Sequence, residues 1–206
     1  MTIQLIQQRK YEKIIGLLFI IATLAYGIGS TGLSQGLTNG TSGLTQLFPF
    51  ALLEVINSIA VSLIGFYFYL FLRNLNEPLL KGYLFTRLAE GLLLILGTVL
   101  SLTPSTHNPL SPLFFHDVFF NLAMLVLGIY STYFFFNLLT YSLGPRWLMC
   151  LGIIGYSCLT LYSILALVPS IDASMFFFIP GGLFEVILPI YLLFTGLKKT
   201  PKEVLL

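Results

Sequence analysis

Apolar residues gather in six long blocks, approximately Ile14 to Gly29, Leu47 to Leu72, Gly82 to Leu102, Leu113 to Leu139, Trp147 to Leu167 and Phe176 to Gly196, with most polar residues between them. About 20 apolar residues in helical form cover a hydrocarbon core roughly 30 Å thick. Each block therefore predicts a membrane-spanning helix, and the chain is expected to be an all-α polytopic membrane protein. Composition agrees: of 206 residues, 57% are hydrophobic and 9% charged. Mean hydropathy is +0.93, which excludes an ordinary soluble domain.

The polar positions between the blocks set an orientation. Arg9, Lys10 and Lys13 precede the first block, Arg73 and Lys81 join the second and third, Arg146 joins the fourth and fifth, and Lys198, Lys199 and Lys202 follow the sixth. The alternate connections, Ser30 to Gln46, Thr103 to Pro112 and Val168 to Met175, hold no Lys or Arg. Positive charge marks the cytoplasmic side, so both termini are expected there, in a multi-pass membrane protein. The net charge of +2 expresses the same bias and gives no support to nucleic-acid binding. Basic residues ahead of the first block, with Gly27, Gly29 and Ser30 after it, imitate a secretion signal; removing that helix would break the pairing of blocks described next. Cys150 and Cys158 share one predicted helix about 12 Å apart, too far for a disulfide.

Three segments repeat a short pattern: Phe48-Pro49-Phe50-Ala51-Leu52-Leu53-Glu54-Val55, Ser111-Pro112-Leu113-Phe114-Phe115-His116-Asp117-Val118 and Ile179-Pro180-Gly181-Gly182-Leu183-Phe184-Glu185-Val186. In each, an acid follows a proline by five positions. The acids recur at about a third of the chain, as do the basic helix starts Lys13, Lys81 and Arg146. One transmembrane domain over residues 1–206, built of three tandem helical hairpins (about 10–76, 77–143 and 144–199), accounts for the spacing. Proline suits a first helical turn, and the acid would then lie about 7 to 8 Å deeper. If the second, fourth and sixth helices converge, Glu54, Asp117 and Glu185 would ring an outward-facing cavity. Pro189 should kink the sixth helix beside Glu185.

Ionisable side chains inside a bilayer usually face the bundle interior and pair there. The candidates for a ligand site are Glu54, Arg87, Glu90, His116, Asp117 and Glu185, with Arg87 and Glu90 on one face of the third helix. Four acids (Glu54, Glu90, Asp117, Glu185) against one arginine leave an excess of three negative charges. A low-dielectric site does not hold that excess fully ionised: protons, water or a cation must compensate. Phe48, Phe50, Phe114, Phe115 and Phe184 near the acids would suit an organic cation. His116 with Glu54 and Glu185 is a chemically acceptable set for a hard metal. There is no paired-His or HExxH spacing, however, and no metal or cofactor is expected. No GxSxG segment is present either.

At Arg87-Leu88-Ala89-Glu90-Gly91, His116-Asp117, Pro145-Arg146-Trp147 and Pro180-Gly181-Gly182-Leu183-Phe184-Glu185, the chain resembles a bacterial family of small integral membrane proteins catalogued as domain of unknown function 4386. The resemblance runs from the first helix to the sixth and implies a prokaryotic membrane protein, without assigning an activity to any residue. The expected function is binding or transport of a small cationic or proton-coupled solute. A membrane-embedded enzyme acting on a lipid-like substrate by carboxylate and histidine acid–base or metal chemistry, and a structural or partner-regulating protein, are the alternatives. Membrane lipids are the expected surroundings. Six short helices are few for a transporter, which makes a homo-oligomer or a non-transporting binder the natural variants.

Overall fold

The structure is a computed structural model, and it describes residues 2–39, 44–73, 75–103, 112–168 and 174–197. Its helices are α1 (Thr2–Thr38), α2 (Leu44–Leu72), α3 (Glu77–Leu102), α4 (Pro112–Thr140), α5 (Arg146–Ala166) and α6 (Phe178–Phe194), the last preceded by a 3-10 turn over Met175–Phe177. All six are long and apolar enough to cross a membrane, so the protein is a multi-pass membrane protein, as its hydropathy blocks predict. Each helix packs on its neighbours in sequence, and α6 returns to α1. The result is a closed ring. Its outer surface carries Leu17, Leu24, Phe85, Leu92, Ile129 and Phe194, all exposed as lipid-facing residues should be.

Local chemistry explains several boundaries. Asn76 caps α3, its side-chain oxygen accepting from the Leu79 amide at 3.1 Å, and Pro78 stands in the first turn, where a missing N–H costs nothing. Pro112 opens α4 and Pro180 falls in the first turn of α6, whereas Pro49 lies inside α2, more than a turn from its start. The connection expected from Ser30 to Gln46 is helical up to Thr38. Gly32 within it, and Gly29 just before it, serve contact rather than turning. A Cβ on Gly29 would stand 2.9 Å from the Phe50 carbonyl, and one on Gly32 would collide with the Phe50 ring. Glycine thus lets α1 approach α2, the small-residue packing that membrane helices use where no hydrophobic force drives them together.

At the end of the bundle that holds both termini, α1 clasps the C-terminus of α6. Arg9 donates to the Leu192 and Leu193 carbonyls at 2.8 Å each and pairs with Glu12 at 3.0 Å. Glu12 in turn accepts from the Leu197 amide at 2.7 Å. Unsatisfied carbonyls at a helix end carry partial negative charge, which a guanidinium complements. Gly196, at φ +79°, makes the reversal that permits this, and any side chain there would strike Arg9 and Glu12. The sequence gives Arg9 a role in orientation only; the clasp is additional.

The α5–α6 seam is equally tight. A Cβ on Gly155 would lie 2.8 Å from the Cα of Gly181 and 3.1 Å from the Pro180 carbonyl carbon, and backbone cannot yield as a side chain can. Gly27, by contrast, has open space where a Cβ would go. Gly155→Val should therefore cost about 1–3 kcal/mol by overpacking and lower the unfolding midpoint by several degrees in detergent, while Gly27→Ala leaves it unchanged or raised. Thermal unfolding of the two purified variants checks the contrast.

Candidate functional site

Arg87 lies near the middle of α3 and is 1% exposed. Gly65 of α2 makes room for it, since a Cβ there would come within 2.7 Å of the arginine's own Cβ. A buried guanidinium needs partners for its five N–H groups. Nε donates to the Tyr83 hydroxyl at 2.9 Å, Nη1 to Glu90 at 3.0 Å and Nη2 to the Tyr156 hydroxyl at 3.2 Å. Its central carbon also lies 5.4 Å from the Phe19 ring centroid and 5.3 Å from that of Tyr83, within cation–π range. Tyr83 and Glu90 come from its own helix by i±4 and i+3 spacing, while Tyr156 comes from α5 and Phe19 from α1.

Above this layer, toward the end remote from the termini, the ring encloses a cavity of about 260 Å³. All six helices line it. Apolar walls come from Val61, Ile64, Leu94, Met124, Leu127 and Leu159, and the polar groups are Arg87, Glu90, Glu185, Asn57, Thr23 and the tyrosines 26 and 156. Glu185 is half-buried and accepts from the Tyr156 hydroxyl at a long 3.4 Å. A chain of contacts therefore runs Glu90–Arg87–Tyr156–Glu185. Pro189 deepens the polarity, because without an N–H it leaves the residue-185 carbonyl short of its helix bond. Asn57 is 4% exposed, faces the cavity, and has no hydrogen-bond partner among the described residues.

Glu54 and His116 belong to a different cluster. Glu54 is buried between α2, α3 and α4, with Oε1 2.8 Å from His116 Nε2 and Oε2 accepting from the Thr98 hydroxyl at 2.5 Å. His116 Nδ1 lies 3.6 Å from Asp117, whose side chain is 60% exposed. Neighbouring residues on a helix diverge by about 100°, so turning His116 inward turns Asp117 out. The three repeated acids thus meet three environments: a buried contact with a histidine, the surface, and the cavity. They do not converge into a ring. Nor do His116, Glu54 and Glu185 come together, and no group of three metal-ligating side chains is present among the described residues.

The sequence count of charges changes accordingly. Around the cavity stand Arg87 (+1), Glu90 (−1) and Glu185 (−1), an excess of one negative charge rather than three. Aromatic placement changes as well. Phe48 and Phe114 are exposed and Phe184 is wholly buried in the core, so they form no cage. The rings at the cavity are Phe19, Tyr26, Phe120, Tyr156 and Phe178. Of the groups that sequence reasoning passes over, Tyr83 was open to discovery four residues before Arg87, and Asn57 three after Glu54. Tyr156 and Thr98 give no such signal, because their partners lie on other helices.

Fold and site together define a multi-pass helical membrane protein with a polar cavity inside a six-helix ring. Within that class, the chain belongs to the family described as Domain of unknown function (DUF4386), which it matches over residues 14–196. No curated protein and no solved structure matches it.

Breaking a buried ion pair from one side leaves the other charge uncompensated, at about 3–5 kcal/mol, whereas replacing both members by apolar residues is often close to neutral. Arg87→Met should therefore lower stability by an amount of that order, and Arg87→Met with Glu90→Met should recover more than half of it. A double-mutant cycle by thermal or denaturant unfolding in one detergent measures the coupling.

Proposed function

We propose that the protein binds a small organic cation with an apolar portion in the ring cavity, with Glu185 as its counterion. The carrying observation is the unequal commitment of the buried acids. Glu90 is engaged by Arg87, and Glu54 by His116 and Thr98, but Glu185 has a single long contact from a tyrosine hydroxyl and stands on the cavity wall. Aromatic faces at Phe19, Phe120 and Phe178 suit a cation's periphery, and the Asn57 amide supplies a free donor and acceptor. At about 260 Å³ the space falls just below the roughly 300–1,000 Å³ of ordinary ligand pockets, which favours a small head group.

Transport is the extended form of this function, and it would require the Arg87 layer that floors the cavity to open. With the basic residues Arg9, Lys10, Lys13, Arg73, Lys81 and Arg146 facing the cytoplasm of a bacterial cell, the cavity lies in the outer half of the membrane. The second cluster favours a structural role for its own members: Glu54 engages His116 Nε2 and the Thr98 hydroxyl, and so links three helices.

Truncating one partner of a desolvated charged pair costs at least about 2 kcal/mol, or roughly thirtyfold in affinity. In lipid nanodiscs, butyltrimethylammonium should bind and raise the unfolding midpoint. Glu185→Gln should weaken that binding by at least this factor, and butyl sulfonate should not bind. Equal affinity in wild type and Glu185→Gln would reject the assignment.

A further inference from the structure

The exposed part of the cavity lining, among the described residues, lies between α1 and α6. Among its lining residues, the exposed ones are Thr23 and Gly27 on α1 and Gly182 on α6, while those from α2, α3 and α5 are buried. The α1–α6 seam explains this. In the half nearer the termini the two helices are in contact: a Cβ on Gly16 would lie 2.9 Å from the Pro189 carbonyl, and Arg9 is bonded to Leu192 and Leu193. In the other half, Gly27 and Gly182 each have nothing within 4 Å of the position a Cβ would take. There α1 leans instead toward α4, where Tyr26 stacks on Phe120 with centroids 5.3 Å apart and planes at 10°.

That stack continues across the top of the cavity. Phe120 stacks on Phe178 at 6.2 Å, and Phe178 meets Tyr162 edge-on at 4.3 Å. Three aromatic rings from α1, α4 and α6 thus roof the cavity, with Tyr162 of α5 backing Phe178. The remaining gap lies about 21 Å along α1 from Lys13 and about 18 Å along α6 from Phe194 at 1.5 Å per residue, within a hydrocarbon core of about 30 Å. Its rim is apolar and exposed: Leu24 and Ile28 on α1, and Ile179, Leu183 and Val186 on α6.

We infer that this gap is a lateral portal, and that the ligand is a membrane-dissolved cationic amphiphile whose head group sits at Glu185 and Asn57 while its chain runs out between α1 and α6 into the bilayer. The inference rests on the cation site proposed above and adds the ligand's class and route. A chain lying in lipid is limited by neither the size of the cavity nor its roof. An enclosed cavity of about 260 Å³ would instead exclude every chain beyond a short one. The polar residue Asn57, nine-tenths and more buried yet unpartnered, fixes the head-group end.

The probes are alkyltrimethylammonium ions from butyl to decyl, titrated against the whole protein in nanodiscs, with Glu185→Gln nanodiscs subtracting partition into lipid. With affinity referred to the aqueous concentration, the portal predicts a rise of about fourfold per methylene across the series, the factor equivalent to about 0.8 kcal/mol. Gly182→Leu, which places bulk in the gap, should lower decyl binding at least tenfold more than butyl binding. An affinity that peaks at a short chain and then falls, with Gly182→Leu affecting all chains alike, overturns the portal and leaves the cation site standing. Absence of Glu185-dependent binding at every chain length overturns both.

Discussion

A guanidinium held out of water in the middle of an apolar bundle constrains everything around it. Arg87 cannot be left with bare donors, because each unsatisfied polar group in such surroundings costs several kcal/mol. Its partners must also come from more than one helix, since its own face supplies only Tyr83 and Glu90. Tyr156 from α5 and the Phe19 ring from α1 complete the set, with Gly65 of α2 giving the side chain room to enter. The spacing of the ring at this depth follows from the reach of those groups. Toward the other end, the Glu54 cluster ties only α2, α3 and α4, and the ring holds a cavity.

The same residue types do different work at two depths. Glu54, His116 and Thr98 link three adjacent helices, with the carboxylate oxygens both engaged. Glu185 follows its proline at the same spacing but stands opposite an open space, with a long contact to one hydroxyl. A carboxylate whose oxygens are engaged by the protein acts as glue; one left with spare acceptor capacity beside a cavity is free to accept from another group. What decides between them is the rotation of each helix about its axis. The sharing of a proline-to-acid spacing decides nothing about it.

That distinction also marks what the sequence can reveal. Six helices follow from hydropathy because crossing lipid demands length and apolarity, and the Arg87–Glu90 pair follows from i+3 spacing on one helix. Rotation is set by contacts between helices, so the exposure of Asp117 and the pairing of Glu54 with His116 were out of reach. Gly32 misled for a related reason: in water a glycine in a polar connection reads as a turn, but in a membrane bundle it reads equally as a close crossing, and Phe50 shows that it is one. Asn57 was legible as a polar residue in an apolar block. Its lack of a partner was not.

The clasp of Arg9 and Glu12 on the end of α6 has a consequence for how the protein is made. Five of the ring's seams join helices that are consecutive in the chain and can form as each hairpin is inserted; the sixth joins the first helix to the last. Until α6 has entered the membrane and turned at Gly196, α1 has no neighbour on that side, and the Arg9 guanidinium must wait at the membrane surface for carbonyls not yet synthesised. Closure of the ring therefore follows the entry of α6, and the pairing of α1 with α6 cannot guide the insertion of the helices between them.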